Sequence, residues 1–297
     1  MSNVAKLEID PQQDRPLNKT RSQSQNVLRN LRKYPAVAFG TVVVISWILL
    51  AVFAPTLATH EPLSQAVSDR LQAPSSAHFM GTDELGRDIF SRVLYGGRIT
   101  LPAAFAVIII DSIIGTLIGA IAGYLGGLWD EILMRITELY LAFPTIILAM
   151  AITAALGPSM RNAVLALIVV RWPSYARLTR GLILEAKNDD YVKAARSLGA
   201  SHSYILVKTL LPNTIAPALV YASLDIGNVI LLFAGLSFLG LGPEPSSPEW
   251  GRMVSIGIDF FDQTWMWLFP GLAIASLVMA FNFIGDGLRD LLDPRTR

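Results

Sequence analysis

Apolar and polar positions along this chain are sorted into long blocks. Six blocks are apolar and long enough, at about 20 residues, to cross a hydrocarbon core roughly 30 Å thick. They run from Ala36 to Leu57, Ile99 to Tyr124, Ile136 to Leu156, Met160 to Leu178, Ile215 to Leu236 and Trp265 to Ile284. The fourth is the weakest, interrupted by Arg171, Trp172 and Pro173. Two others carry a lone acid, Asp111 in the second and Asp225 in the fifth. A central Asp costs roughly 2.5 to 3.5 kcal/mol and each Ile or Leu returns about 0.3 to 0.6, so the apolar neighbours suffice to insert it. The pattern predicts an all-α integral membrane protein with six transmembrane helices and both termini on one side.

The most informative polar block lies between the fourth and fifth spans, from Glu185 to Pro212. A simple reversal needs only a few residues, so this block is read as a site. Asp189 and Asp190 offer N-cap oxygens, Tyr191 to Leu198 are good helix formers, and Gly199 stands where a left-handed residue ends a helix. Tyr191, Ala194, Ala195 and Leu198 share one face by spacing, while Lys193, Arg196 and Ser197 point elsewhere. Ser201 or Ser203 then caps a second helix through Ile205, Leu206, Leu210, Leu211 and Pro212. Helix, glycine elbow, helix is the expected form. Two uses fit it: a helix seated in a partner's groove, or an amphipathic loop resting on the membrane surface.

The remaining polar stretches predict less chemistry. Residues 1–34 are polar and basic and read as a cytoplasmic tail. From His78 to Arg98, a helix capped by Thr82 or Asp83 is expected through Ile89 to Tyr95, ended by Gly96 and Gly97, lying at the interface before the second span; Asp88, Arg92 and Arg98 have the spacing for local pairing. Between Ser237 and Gln263, Pro243, Pro245 and Pro248 stiffen the chain, Trp250 and Trp265 suit the interface, and Gly235, Gly240 and Gly242 suggest a bent or re-entrant end. Gly115, Gly119 and Gly123 form overlapping small-xxx-small repeats, the mark of a close helix contact.

Composition and charge then fix class and orientation. The chain has 297 residues, 53% hydrophobic and 16% charged, without cysteine, and a mean hydropathy of +0.48. Disulfides and thiolate chemistry are excluded. With the tail, the Leu125 to Arg135 turn, the stretch from Arg177 through the 185–212 loop and the C-terminus inside, 17 Lys and Arg lie inside against six outside. That bias orients the chain N-in and C-in, with the loop facing the cytoplasm. His60, His78 and His202 are scattered along the sequence, and no metal is assigned. No P-loop, nucleophile elbow or H-E-x-x-H is present, so no catalytic residue is assigned and neither a nucleotide nor a nucleic-acid site is expected. Asp111 and Asp225 remain candidates for a translocation path: either the relay of an ion-coupled secondary carrier or acids hydrogen-bonded between helices. A non-transporting membrane scaffold or receptor is a further reading.

Lys193-Ala194-Ala195, Gly199 and Leu211-Pro212 resemble the EAA loop of bacterial ABC-importer permeases, with Lys193 where the acid usually stands. From Phe79 to the C-terminus the resemblance narrows to the second permease of the dipeptide, oligopeptide and nickel branch. It rests on GTDELGRDIFSRVLYGGR, AGYLGG with Met134-Arg135, Ala176-Arg177-Leu178-Thr179-Arg180, Asp190-Tyr191-Val192, LSFLGLG, Pro248-Glu249-Trp250-Gly251 and GDGLRDLLDP. The resemblance implies a type I importer-permease fold, divided into a tail (1–34), a first span with an extracytoplasmic segment (35–98) and a five-helix core (99–297) holding the loop at 185–212. It implies that Asp190, Tyr191, Val192, Lys193, Ala194, Ala195, Arg196, Leu198 and Gly199 form the ATPase-coupling helix, supported by Leu211, Pro212, Arg177 and Arg180. It further implies a homologous second permease, two P-loop ATPase subunits that carry the ATP and Mg²⁺, and an extracytoplasmic binding protein. The cargo would be di- or oligopeptides or related small solutes, and this chain would bind no cofactor itself.

Overall fold

The computed structural model describes residues 35–292, so the expected N-terminal tail lies outside the described residues. Nine helices of eight residues or more are described: α1 (Pro35–Val52), α2 (Ile89–Leu125), α3 (Gly127–Leu141), α4 (Thr145–Leu156), α5 (Met160–Ala186), α6 (Asp190–Ser197), α7 (Leu211–Phe238), α8 (Trp250–Ile258) and α9 (Thr264–Leu292). Among these residues the only β pairing is an isolated bridge between Thr82 and Asp88. Four helical stretches are long and apolar enough to cross a membrane, namely α1, α2, the run His202–Phe238 and Thr264–Asp290; the bent pair of α3 and α4 makes a fifth. Helix α5 has the length, at 27 residues, but Arg161, Arg171, Arg177 and Arg180 keep its apolarity below theirs.

Helix α2 sets the frame. Its 37 residues extend about 55 Å. The two ends therefore belong to different faces of the molecule, one holding the segment 58–88 and the other holding α6. The expected short interfacial helix is its first two turns. Gly96 and Gly97 do not end it; Gly96 gives the room in which the Trp250 indole lies, and Gly97 backs onto Ala51. Ile89, Val93 and Leu94 are buried in the protein instead of facing the membrane surface. The cap is Asp88, whose Oδ2 accepts from the Ser91 N–H at 2.8 Å, in place of Thr82 or Asp83.

The small-residue stripe is a helix contact, as its spacing predicts. A Cβ on Gly115 or Gly119 would overlap the Trp172 and Ala176 carbonyls of α5, and one on Gly123 would press on Arg180 and Ile183. Helices α2 and α5 form the most extensive pairing in the fold, and α7 packs against both. On the other side α9 supports α7 and α8. Helix α1 leans on α9 through the Phe39–Phe283 edge contact and a hydrogen bond from Trp47 Nε1 to Ser276 Oγ at 3.0 Å. Its remaining surface is largely apolar and exposed, as suits a lipid-facing helix.

Two further expectations are corrected. Residues 125–135 are mostly helix α3 and not a turn, because after Gly126 and Gly127, both at positive φ, nothing in the sequence breaks a helix until Pro144. The segment Ile136 to Leu156 is two helices bent by 87°, not one rod. Pro144 has no N–H to give and disfavours helical geometry at Phe143, so the chain turns there and resumes at Thr145.

Candidate coupling helix and buried ion triad

Helix α6 spans Asp190–Ser197, with Asp189 at the N-cap position and Leu198 as C-cap. The Gly199 N–H donates to the Arg196 carbonyl at 2.9 Å and the Ala200 N–H to the Ala195 carbonyl at 3.1 Å. With Gly199 at φ +79°, this is a Schellman ending, in which a left-handed glycine lets two otherwise orphaned carbonyls be paired. The Ser201 hydroxyl then accepts from the Tyr204 N–H at 3.2 Å and opens the next helix. The helix, elbow, helix reading of the sequence holds.

The helix has an inward and an outward side. Val192 is fully buried in a small core with Ala120 and Tyr124 from α2, Ile183 from α5, and Ile205 and Leu210. Ala195, read from spacing as part of the outer face, is half-buried against the same core. Tyr191, Ala194, Lys193, Arg196 and Leu198 face outward, and Leu198 is 87% exposed. An apolar leucine held at that exposure on a capped helix is an anchor without a pocket in this chain. Lys193 Nζ lies 3.0 Å from Asp190 Oδ1, an exposed pair worth about 0–1 kcal/mol.

Three polar residue pairs hold the platform beneath. Arg180 on α5 grips Asp130 on α3 with both donors, Nε at 2.5 Å and Nη2 at 2.7 Å. Lys187 Nζ donates to the Gly123 carbonyl near the end of α2 at 3.1 Å. Tyr124 Oη lies 2.9 Å from His202 Nδ1. Of the other expected supports, Leu211 is half-buried, whereas Arg177 and Pro212 are exposed. Pro212 acts through the backbone: its missing N–H coincides with a π-helical stretch at Ile205–Leu210, where the Leu211 N–H reaches back to the Leu206 carbonyl.

Deep in the helices, Asp111 and Asp225 converge on one residue, Arg171. Its Nη2 donates to Asp225 Oδ2, which also accepts from the Tyr175 hydroxyl at 3.2 Å, and its Nε lies 3.7 Å from Asp111 Oδ2. Asp111 is fully buried. The three charges tie α2, α5 and α7 together. Sequence spacing gave no sign of this, because Arg171 reads only as an interruption of a weak span; the signal was that one cation and two acids all fall inside apolar segments.

At the opposite end of α2 the motif from Gly81 to Arg98 is a structural knot. Arg87 donates to Asp83 Oδ2 at 2.6 Å and to Glu84 Oε1 at 2.8 Å, and Asp83 Oδ1 accepts from the Leu85 and Arg87 N–H groups. Arg92 donates to the carbonyls of Pro62, Ser246 and Ser247 between 3.1 and 3.2 Å, rather than pairing with Asp88. Trp250, expected at the interface, is fully buried; its Nε1 donates to the Val93 carbonyl at 2.9 Å, and it packs edge-on against Trp47. Glu249 caps α8 by accepting from the Gly251 and Arg252 N–H groups at 3.0 and 2.8 Å. Complete burial outweighs those two bonds and pushes the Glu249 carboxyl up to about 7. Burial, and next the Asp83 charge, also raise Glu84.

The chain is also similar in sequence to known proteins. Residues 115–297 match the family described as binding-protein-dependent transport system inner membrane component, and residues 22–74 match the N-terminal TM domain of oligopeptide transport permease C. The chain is 44% identical to a probable D,D-dipeptide transport system permease protein of Escherichia coli strain K12, covering 95% of both chains. It is 42% identical to a dipeptide transport system permease protein of Alkalihalophilus pseudofirmus, covering 92% of this chain and 90% of that protein. It is 44% identical to a glutathione transport system permease protein of Pectobacterium atrosepticum, over 91% and 90%. The family match spans more than half of the chain, and the chain belongs to the binding-protein-dependent transport system inner membrane components.

Proposed function

We propose that this chain is the permease subunit of an ATP-driven importer in the inner membrane, moving di- or oligopeptides or related small solutes into the cytoplasm. The observation that carries the reading is α6: a helix fixed on its inner side by Val192 and at its end by Gly199, presenting Tyr191, Ala194 and Leu198 outward with nothing of its own to cover them. Two P-loop ATPase subunits supply the cleft for this helix and its counterpart on a homologous second permease, and an extracytoplasmic binding protein delivers the cargo. ATP and Mg²⁺ sit on the ATPases, and this chain contributes no catalytic group. ATP binding closes the ATPase pair, which displaces α6 and shifts the spans between inward-open and outward-open states, provided ATP binds the two states with different affinity.

The reading takes α5 as a sixth span, with N-in and C-in orientation. Support comes from the triad: Arg171 need not face lipid, because Asp111 and Asp225 pair with it inside the protein. The same pairing leaves the secondary-carrier alternative unfavoured, since neither acid stands alone in a water path. We take Asp111 and Asp225 as part of the wall that moves during translocation.

The test is purification of the tagged chain in mild detergent from its native membrane, followed by mass spectrometry of everything retained. Recovery of a second permease and a P-loop ATPase is expected. If the chain is retained alone, and its uptake follows the proton gradient and ignores ATP depletion, the importer reading fails.

A further inference from the structure

At the end of α2 remote from α6, three groups distant in sequence meet. His60 follows α1, His78 lies in the connecting segment, and Asp88 caps α2. His78 Nδ1 is 2.9 Å from Asp88 Oδ1, His60 Nδ1 is 3.7 Å from the same oxygen, and one nitrogen of each ring and one carboxylate oxygen all lie within 4.8 Å of one another. The two imidazole rings have centroids 4.6 Å apart and planes tilted by 30°. We propose that His60, His78 and Asp88 form a binding site for a divalent transition-metal ion of the Zn²⁺ type.

The ligand set fits the chemistry. Zinc binds imidazole nitrogen at about 2.0–2.1 Å and carboxylate oxygen at about 2.0–2.2 Å, so donors around a tetrahedral ion stand roughly 3.3 Å apart. The two separations from Asp88 Oδ1, 3.7 and 2.9 Å, straddle that value. Two nitrogens and a single oxygen favour such an ion over Mg²⁺ or Ca²⁺, which need oxygen-rich shells.

The surroundings are built to hold the ligands. Asp88 divides its oxygens: Oδ2 accepts from the Ser91 N–H at 2.8 Å, the Ser91 hydroxyl at 2.6 Å and the Thr59 hydroxyl at 3.3 Å, which leaves Oδ1 aimed at the imidazoles. Hydrogen bonds of this kind orient a ligating carboxylate. The His60 N–H donates to Ser91 Oγ at 3.1 Å, fixing the backbone that carries the outer ligand. His78 and Asp88 are buried while His60 is exposed, so an ion has an entry side and room for a water as fourth ligand. Bound there, it fastens the chain leaving α1 to the first turn of α2 and closes the segment 60–88 into a loop.

The test uses the full-length chain, purified with its co-expressed partner subunits through a tag without histidine and stripped with a chelator. Zn²⁺ is titrated by calorimetry and counted by elemental mass spectrometry, against a His60→Ala/His78→Asn double variant as blank. One ion more per wild-type chain than per double variant is expected. His60→Ala lowers its affinity at least about tenfold, as loss of even a supporting group does at such sites, and His202→Gln leaves it unchanged. X-ray absorption of the loaded protein shows imidazole scattering with an oxygen shell. His78→Asn removes a buried ligand, and its melting curve without metal reports whether it folds; if it and the double variant do not, exposed His60→Ala serves as blank and decides alone. Equal uptake by wild type and blank, or an affinity that His60→Ala does not change, overturns the proposal.

Discussion

Gly119 of α2 lies directly against the Ala176 carbonyl of α5, with no space for a Cβ between them. A side chain there must push the two packed helices apart. Gly119→Val is expected to destabilise the protein by about 1–3 kcal/mol or more, the usual scale of overpacking. Gly181→Ala, on the open side of α5, is expected to be tolerated. Thermal unfolding in detergent compares the two, and equal melting temperatures contradict the close contact.

At Gly199 the constraint is conformational. Nothing lies within 4 Å of the site of a Cβ, so only the positive φ resists substitution. Gly199→Ala is expected to cost about 1–2 kcal/mol locally, and Gly199→Val more, because a β-branched residue is worse in that region. The helix then loses its fixed orientation. Assembly is expected to survive while transport and substrate-stimulated ATP hydrolysis fall together. A Val variant with wild-type transport and ATPase activity removes the elbow from the mechanism.

The outward anchors predict a different phenotype. Leu198→Asp places a charge where a partner's apolar cleft is proposed, and it is expected to reduce ATPase retention in pull-downs at least tenfold without changing the melting temperature of the chain alone. Lys193→Ala breaks only an exposed pair and is expected to change retention little. Unaltered ATPase recovery with Leu198→Asp argues against α6 as the docking element.

Arg171 holds two acids. Arg171→Leu leaves both buried without their cation and is expected to cost about 3–5 kcal/mol, the range for breaking a buried pair from one side. Neutralising the acids as well, with Asp111→Asn and Asp225→Asn, is expected to recover much of that loss. Stability measured across the three-residue set separates an electrostatic lock from an isolated Arg171 effect, for which no recovery appears.

Glu249 predicts a pH dependence. Its carboxyl is raised from an ordinary 4.5 to about 7 in the folded protein, so the folded state holds the proton more tightly than the unfolded state. The contribution favours folding below about pH 4.5, weakens as pH rises, and is fully lost above about pH 7. Glu249→Gln is expected to flatten this part of the stability curve between those limits. Melting temperature against pH for both proteins is the measurement, and parallel curves exclude the group.

How far the sequence reaches depends on the length of the interactions. Helix α6 was legible because its signals are local: Gly199 and a short run of helix formers occupy a dozen positions, although the Asp189 side chain, expected as a cap, makes no cap bond. The glycine stripe was legible for the same reason. What escaped was set by partners far along the chain. Gly96 and Gly97 look like helix breakers until Trp250, 154 and 153 residues on, is seen filling the space they leave. Arg171 looks like a defect until Asp111 and Asp225 arrive from other helices. Pro144 was visible, but its meaning was missed, because an uninterrupted apolar run was given more weight than a residue that cannot complete the hydrogen-bond ladder. His60 and His78 converge only because α1 and α2 are brought together by the segment between them.

The π-helical stretch at Ile205–Leu210 acts as a phase setting between α6 and α7. A π turn is an α-helix with one residue in excess, and each α-helical residue advances the chain by about 100° and 1.5 Å. Removing one residue from this stretch, Val207 for example, would return it to ordinary register and swing everything upstream by about a quarter turn. Tyr191 and Leu198 would then address a different compass direction without any change in their own helix. The spare residue is thus a dial for the heading at which the outer face of α6 meets whatever docks there, and single-residue insertions or deletions could reset it while every contacting side chain stayed the same.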